Sequence, residues 1–187
     1  MRHPCTIEDI IQSWRRLRGE RAAPCVRDDA LSATMMLASD RENVFRVMVA
    51  GTLAQRWSGL AFGAAFVSIL AKEHQRQMTR RLGDAARRQT PSLTRARTSL
   101  MRARTSLTRA REGLTCNDAG PDVEFDILLL PLRSAGRGGR KGLADAVLVG
   151  LSPVVMPPPY PDALCRSDMV LECSGPLPGF VAPVIQP

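Results

Sequence analysis

The chain has 187 residues, of which 44% are hydrophobic and 24% charged, enough for one domain with an ordinary core and short for two. Five cysteines without a CxxC pair, and no apolar leader at the start, favour a reducing cytoplasm over a secreted disulfide scaffold. The net charge of +8 is concentrated in residues 91–111, which hold six arginines and no acid, so the remainder carries only +2.

The first half of the chain predicts a helix, two strands and a helical middle. Over Thr6–Arg18 an N-cap candidate precedes apolar residues at helical spacing, and Gly19 follows as a stop. Strands are predicted over Ala33–Ala38 and Phe45–Ala50. The helical middle comprises a short helix from Gly51 through Trp57, one or two short helices within Phe62–Leu70, and a polar helix over Ala71–Gln89.

Three near-identical heptads, PSLTRAR, TSLMRAR and TSLTRAR, fill residues 91–111 and are too short to be solenoid units. Leucine and alanine at heptad positions a and d, after Thr90-Pro91, favour a helix. The Thr-Ser pairs and the absence of acids argue against it, so a helix, a flexible loop and an extended strand all stay open. The arginines of this basic insert are Arg95, Arg97, Arg102, Arg104, Arg109 and Arg111.

The last part of the chain predicts a β-hairpin and then an irregular tail. Val123–Leu132 and Leu143–Leu151 are strand signals, joined by a Gly/Arg turn at 136–142. Asp122, Glu124 and Asp126 alternate along the first strand and are interpreted as a solvent-facing stripe. From Pro153 onward the chain is rich in proline, and we expect little regular structure there. The element order predicts an α+β fold, with helices on one face of an antiparallel sheet.

Several strings resemble the short, often stand-alone PAS-domain proteins of bacteria. They are SWRRLRG (13–19), PCVRDDAL (24–31), FRVMVAGTLAQRWSGLAFGAAF (45–66) and EFDILLLPL (124–132). The resemblance implies a PAS-like antiparallel sheet with helices on one face and an N-terminal helix. It divides the chain into an extension at 1–5, a PAS-like domain at 6–152 with the duplicated insert at 91–111, and a Pro-rich, disordered tail at 153–187. The two heptads at 98–111 interrupt the match.

The resemblance also implies a cytoplasmic sensory or regulatory module for signal transduction, acting through contacts with a signalling protein. A homodimer would form through the N-terminal helix, anchored by Ile10, Ile11 and Trp14. A small ligand could lie between sheet and helices, although the same side chains would equally fill a core. The candidate lining residues are Phe45, Val47, Trp57, Phe62, Phe66, Leu128, Leu130 and Val147.

No pattern of catalytic residues stands out. His3 and His74 are the only histidines, no GxSxG motif is present, and Gly142 follows Lys141 where a phosphate-binding loop needs Ser or Thr. We therefore expect no enzymatic activity, no metal and no haem or flavin cofactor. The apolar stretch Leu60–Ala71 is too short to span a membrane.

The alternative function is a basic nucleic-acid-binding protein that uses the insert. Its arginines could neutralise phosphates, but no aromatic residue is interleaved for base stacking. Such binding would be weak and salt-dependent, so nucleic acid is not an expected partner.

Overall fold

A computed structural model describes residues 6–19, 28–102, 122–132, 146–154, 163–165 and 168–177. The helices in these ranges are α1 (Ile7–Leu17), α2 (Thr52–Ser58) and α3 (Lys72–Arg88), with 3-10 turns at Asp28–Ala33 and Phe66–Ile69. The strands are β1 (Thr34–Ser39), β2 (Phe45–Ala50), β3 (Ser92–Arg102), β4 (Asp122–Pro131), β5 (Ala146–Pro153), β6 (Ala163–Cys165) and β7 (Val170–Pro176). The predicted elements before the repeat are confirmed to within a few residues.

Helix α1 begins where the sequence predicts because Thr6 and Asp9 form a reciprocal capping box. The Asp9 carboxylate accepts from the Thr6 backbone N–H at 3.0 Å, and the Thr6 hydroxyl accepts from the Asp9 N–H at 3.3 Å. The helix ends before Gly19, whose φ of +70° lies in the region that glycine tolerates best.

The strands form one sheet in the order β2-β1-β5-β4-β3, and β6 and β7 also pair with β3. All these pairings are antiparallel. The β1–β2 ladder contains a bulge next to Met36 and Leu37, where β2 carries one extra residue. The chain is thus a mixed fold of helices and an antiparallel sheet, in agreement with the predicted α+β class at that level.

Helices cover both faces of the sheet. On the face that carries α2 and α3, called the helical face below, the Phe125 ring of β4 lies 5.8 Å from the Trp57 ring of α2. On the opposite face, called the α1 face below, a Cβ added to Gly150 would lie 2.8 Å from Cγ2 of Ile10. Glycine is therefore required where α1 crosses β5. Because both faces are covered, β4 reads as a nearly continuous apolar run rather than as an alternating one.

Strand β3 brings the repeat and the tail together, and it selects the extended strand among the alternatives left open for the start of the repeat. The first heptad and part of the second form this strand, which pairs with β4 on one side and with β6 and β7 on the other. The prediction of little regular structure after Pro153 is wrong for β6 and β7, so the sheet extends beyond the predicted boundary at 152. Buried Leu171 lies opposite Ala96 and attaches β7 to the core. Residues 103–111 lie outside the described ranges.

Candidate functional site

The candidate lining residues of the predicted ligand pocket lie in different environments. Five of them are buried in the core on the helical side: Phe45, Val47, Trp57, Phe66 and Val147. Leu128 and Leu130 are also buried but belong to the α1 face, since Leu128 pairs with Gly150 and alternate residues of β4 share a face. Phe62 is 77% exposed. The sequence prediction is therefore wrong for these last three residues, and the others are packed against core neighbours.

The predicted dimer anchors are buried within their own chain. Ile10, Ile11 and Trp14 are at most 7% exposed. The Trp14 Nε1–H donates to the Pro131 carbonyl at 2.8 Å, which ties α1 to the end of β4. These side chains cannot reach a second copy without leaving the core, so their assignment as dimer anchors is wrong. On α1 it is Leu17 that stays open to solvent, at 56% exposure.

Apolar side chains remain uncovered on the α1 face at the β2 edge of the sheet. Val49 is 60% exposed and lies opposite half-buried Met36, while Met48 is the exposed extra residue of the bulge. These three residues are called the β1–β2 apolar patch below. The backbone edge of β2 is partly closed, because Val47 donates to the Ala64 carbonyl at 2.9 Å and accepts from the Gly63 N–H at 2.8 Å. The patch therefore offers side chains rather than a free strand edge.

The opposite end of the α1 face carries ion pairs instead. Arg95 clamps Asp126 with two hydrogen bonds, Nε to Oδ1 at 3.0 Å and Nη2 to Oδ2 at 3.3 Å. Arg97 Nε lies 3.3 Å from a carboxylate oxygen of Glu172 on β7. The bonds to Asp126 and its charge raise the pKa of Arg95. Asp126 is buried, so the prediction of a solvent-facing stripe is wrong at that position.

These pairs change the interpretation of the basic insert. Arg95 and Arg97, its first two arginines, are neutralised within the sheet. The side chain of Arg102, and all of Arg104, Arg109 and Arg111, lie outside the described part of the chain. The described portion of the insert therefore presents no unpaired arginine for phosphate binding.

An open groove of about 350 Å³ lies between the end of α3 and the strands β3 and β7. Its polar lining residues are Arg81, Asp84, Arg88, Thr90, Ser92 and Ser174. The Arg81 Nη1 donates to the hydroxyl of the buried Thr94 at 3.1 Å, so strand β3 holds this guanidinium in place. Asp84 is engaged by Arg87 at 3.3 Å and by Arg88 at 3.9 Å. The groove is thus a basic surface feature rather than the predicted cavity between sheet and helices.

In the ranges that the structure describes, no three His, Cys, Asp or Glu side chains are grouped so as to hold a metal ion. Within the same ranges, no helix is long and apolar enough to cross a membrane. Comparison with protein-family models, with curated proteins and with solved structures found no match.

Proposed function

We propose that the chain is a PAS-type regulatory module that acts through protein–protein contacts, and that the contact surface is the β1–β2 apolar patch. The observation that carries the proposal is the 60% exposure of Val49 beside Met48 and Met36 on the α1 face. The resemblance of the strings at 13–19, 45–66 and 124–132 supports the regulatory part. The antiparallel sheet with helices between its strands is compatible with it.

The composition of the patch suits a protein partner. Apolar residues clustered on a strand face are the kind of surface that interfaces bury, and methionine adapts its shape to different neighbours. A charged rim adjoins the patch. Ala38, two residues after Met36 on β1, pairs with Arg46 of β2, and Arg46 Nε donates to the Asp40 carboxylate at 2.7 Å. An apolar centre with a polar rim is the usual anatomy of a protein–protein interface.

A response to a small ligand is not part of this proposal. The candidate lining residues are either packed in the core, buried under α1 or exposed to solvent. Signalling would instead depend on which protein occupies the patch, either a signalling protein or a second copy of the chain.

Photo-crosslinking in the source cells tests the proposal. A photoreactive phenylalanine analogue at position 49 should yield adducts of defined mass, and mass spectrometry identifies the attached protein. The matched control carries the same analogue at position 170, where Val170 is exposed as well but lies on β7, at the other edge of the sheet from β2. Adding Met48→Glu to the position-49 variant should abolish the adduct. Equal adducts from both positions, or none from position 49, would contradict the proposal.

A further inference from the structure

Helix α3 concentrates positive charge on the surface of an otherwise nearly neutral domain. Its sequence, KEHQRQMTRRLGDAARR, holds six basic and two acidic side chains. Met78, Leu82, Ala85 and Ala86 face the core, so most of the basic residues lie on the outer side of the helix. Arg81 is the exception, since its side chain reaches the buried Thr94 of β3. The chain without the insert has a net charge of only +2, because acids in other segments balance the positive charge of α3.

Three cations on this side pair with no acid of the described ranges. Lys72, Arg76 and Arg80 follow one another at intervals of four residues, so they form a row with about 6 Å between neighbours. All three are exposed, and none makes an ion pair within the part of the chain that the structure describes. We call them the α3 basic row. The two acids of α3 are Glu73, next to Lys72, and Asp84, which is already engaged by Arg87 and Arg88.

The positive surface continues past the row into the groove at the end of α3. Arg81 and Arg88 line the groove together with the hydroxyl-bearing residues Thr90, Ser92 and Ser174. Asp84 lines it as well and pairs with Arg88 at 3.9 Å, so the groove keeps one positive charge in excess. Guanidinium and hydroxyl groups are the donors that proteins most often direct at phosphate oxygens. The row and the groove together extend along the helix, whose 17 residues span about 25 Å.

The polar character of the exposed positions of α3 decides between classes of partner. The exposed positions of α3, such as Gln77 and Arg80, carry no large hydrophobic side chain, and the described exposed hydrophobics all lie on other elements. A folded protein partner or a membrane would require apolar contacts. Single-stranded bases would require aromatic platforms. A regular double-stranded phosphate backbone requires neither, because it is bound by charge.

We infer that the α3 basic row binds the phosphate backbone of double-stranded nucleic acid without regard to sequence. The three row residues belong neither to the basic insert nor to the β1–β2 apolar patch, so the inference does not depend on the proposed function. The three row residues contact successive phosphates.

The experiment measures binding of the full chain to a fluorescent 24-base-pair duplex of random sequence, titrated between 50 and 200 mM salt. Three variants each remove three positive charges by substitution with Gln. The test variant changes Lys72, Arg76 and Arg80; the insert variant changes Arg104, Arg109 and Arg111; and the scattered control changes Arg15, Arg41 and Arg56. All three lower the net charge equally, so a difference between them reports position rather than total charge.

Each phosphate contact steepens the plot of log affinity against log salt by about 0.9, so the test variant should lower the slope by about 2.7. Its affinity at 50 mM salt should fall roughly a thousandfold. The scattered control should keep the wild-type slope. The inference is overturned if the test variant retains the slope, if all three variants lose affinity equally, or if only the insert variant loses it. It is also overturned if the wild-type chain ignores the duplex but binds vesicles with 30% phosphatidylserine. Unchanged circular dichroism of each variant establishes that it is folded.

Discussion

The variant Trp14→Ala tests whether Trp14 stabilises the core of its own chain, as the structure shows, or anchors a dimer, as the sequence predicts. Trp14 is fully buried, its Nε1–H donates to the Pro131 carbonyl at 2.8 Å, and the Arg18 guanidinium lies 4.8 Å from its ring centroid. Truncating a buried Trp costs about 3 to 5 kcal/mol of unfolding free energy. For a chain of this size that lowers the melting temperature by roughly 10 °C. Urea titration followed by far-ultraviolet circular dichroism measures the loss.

Trp14→Phe serves as the graded control for this experiment. It keeps most of the ring volume but removes the donor to Pro131, so we expect a loss of about 1 to 3 kcal/mol, smaller than for the Ala variant. Light scattering on the same samples should show an unchanged mass. The reasoning fails if Trp14→Ala converts a dimer to a monomer while the midpoint of unfolding stays within about 0.5 kcal/mol of wild type.

Three further predictions concern the sheet and its margins. Gly150→Ala should lower the free energy of unfolding by about 1 to 3 kcal/mol, because its Cβ would meet Ile10 Cγ2 at 2.8 Å. In urea titration, the double variant with Ile10→Ala should lose less than the sum of the losses of the two single variants. Asp126→Ala should cost about 2 kcal/mol in the same assay, since it removes both acceptors of Arg95. Hydrogen bonds from the Val44 N–H and an arginine lower the pKa of Asp40 below its ordinary 3.8, so its stabilisation is complete above that value and lost as pH falls through the folded-state pKa. Stability measured from pH 6 to pH 2 should therefore fall less in Asp40→Asn than in wild type.

Local sequence patterns predict an element correctly where a single signal, such as a helix cap or a turn, sets its bounds. The capping residue Thr6 and the stop at Gly19 define α1, and alternating strands around a short turn define β1 and β2. For β4 the same reading identifies a strand but not which face each residue occupies. Because both faces are buried, Leu128 and Ile127 look alike in the sequence although they contact different layers. The predicted pocket combined the two layers for this reason.

Strand β7 could not be predicted from the local sequence because it depends on pairing with a distant strand. Strand β7 exists because β3 offers it an edge, with Arg95 opposite Cys173 and Ala96 opposite Leu171. A proline-rich context conceals such a strand, since Pro176 stands at its end, where a missing donor is tolerated. The positive charge of α3 is hard to recognise in the sequence for a different reason. Counting charge along the chain directs attention to the heptads, whereas helical geometry places Lys72, Arg76 and Arg80 in one row.

The two proposed surfaces lie on opposite faces of the sheet, and this arrangement has a functional consequence. Val49 pairs with Met36 on the face covered by α1, whereas α3 is bound to the helical face through Arg81 and Thr94. A protein seated on Val49 therefore leaves Arg76 and Arg80 open to solvent. A chain that holds a protein on one face and a phosphate backbone on the other is an adaptor. In an adaptor the two contacts are separable, since a charge introduced at Met48 and neutralisation of the α3 basic row each remove one contact and spare the other.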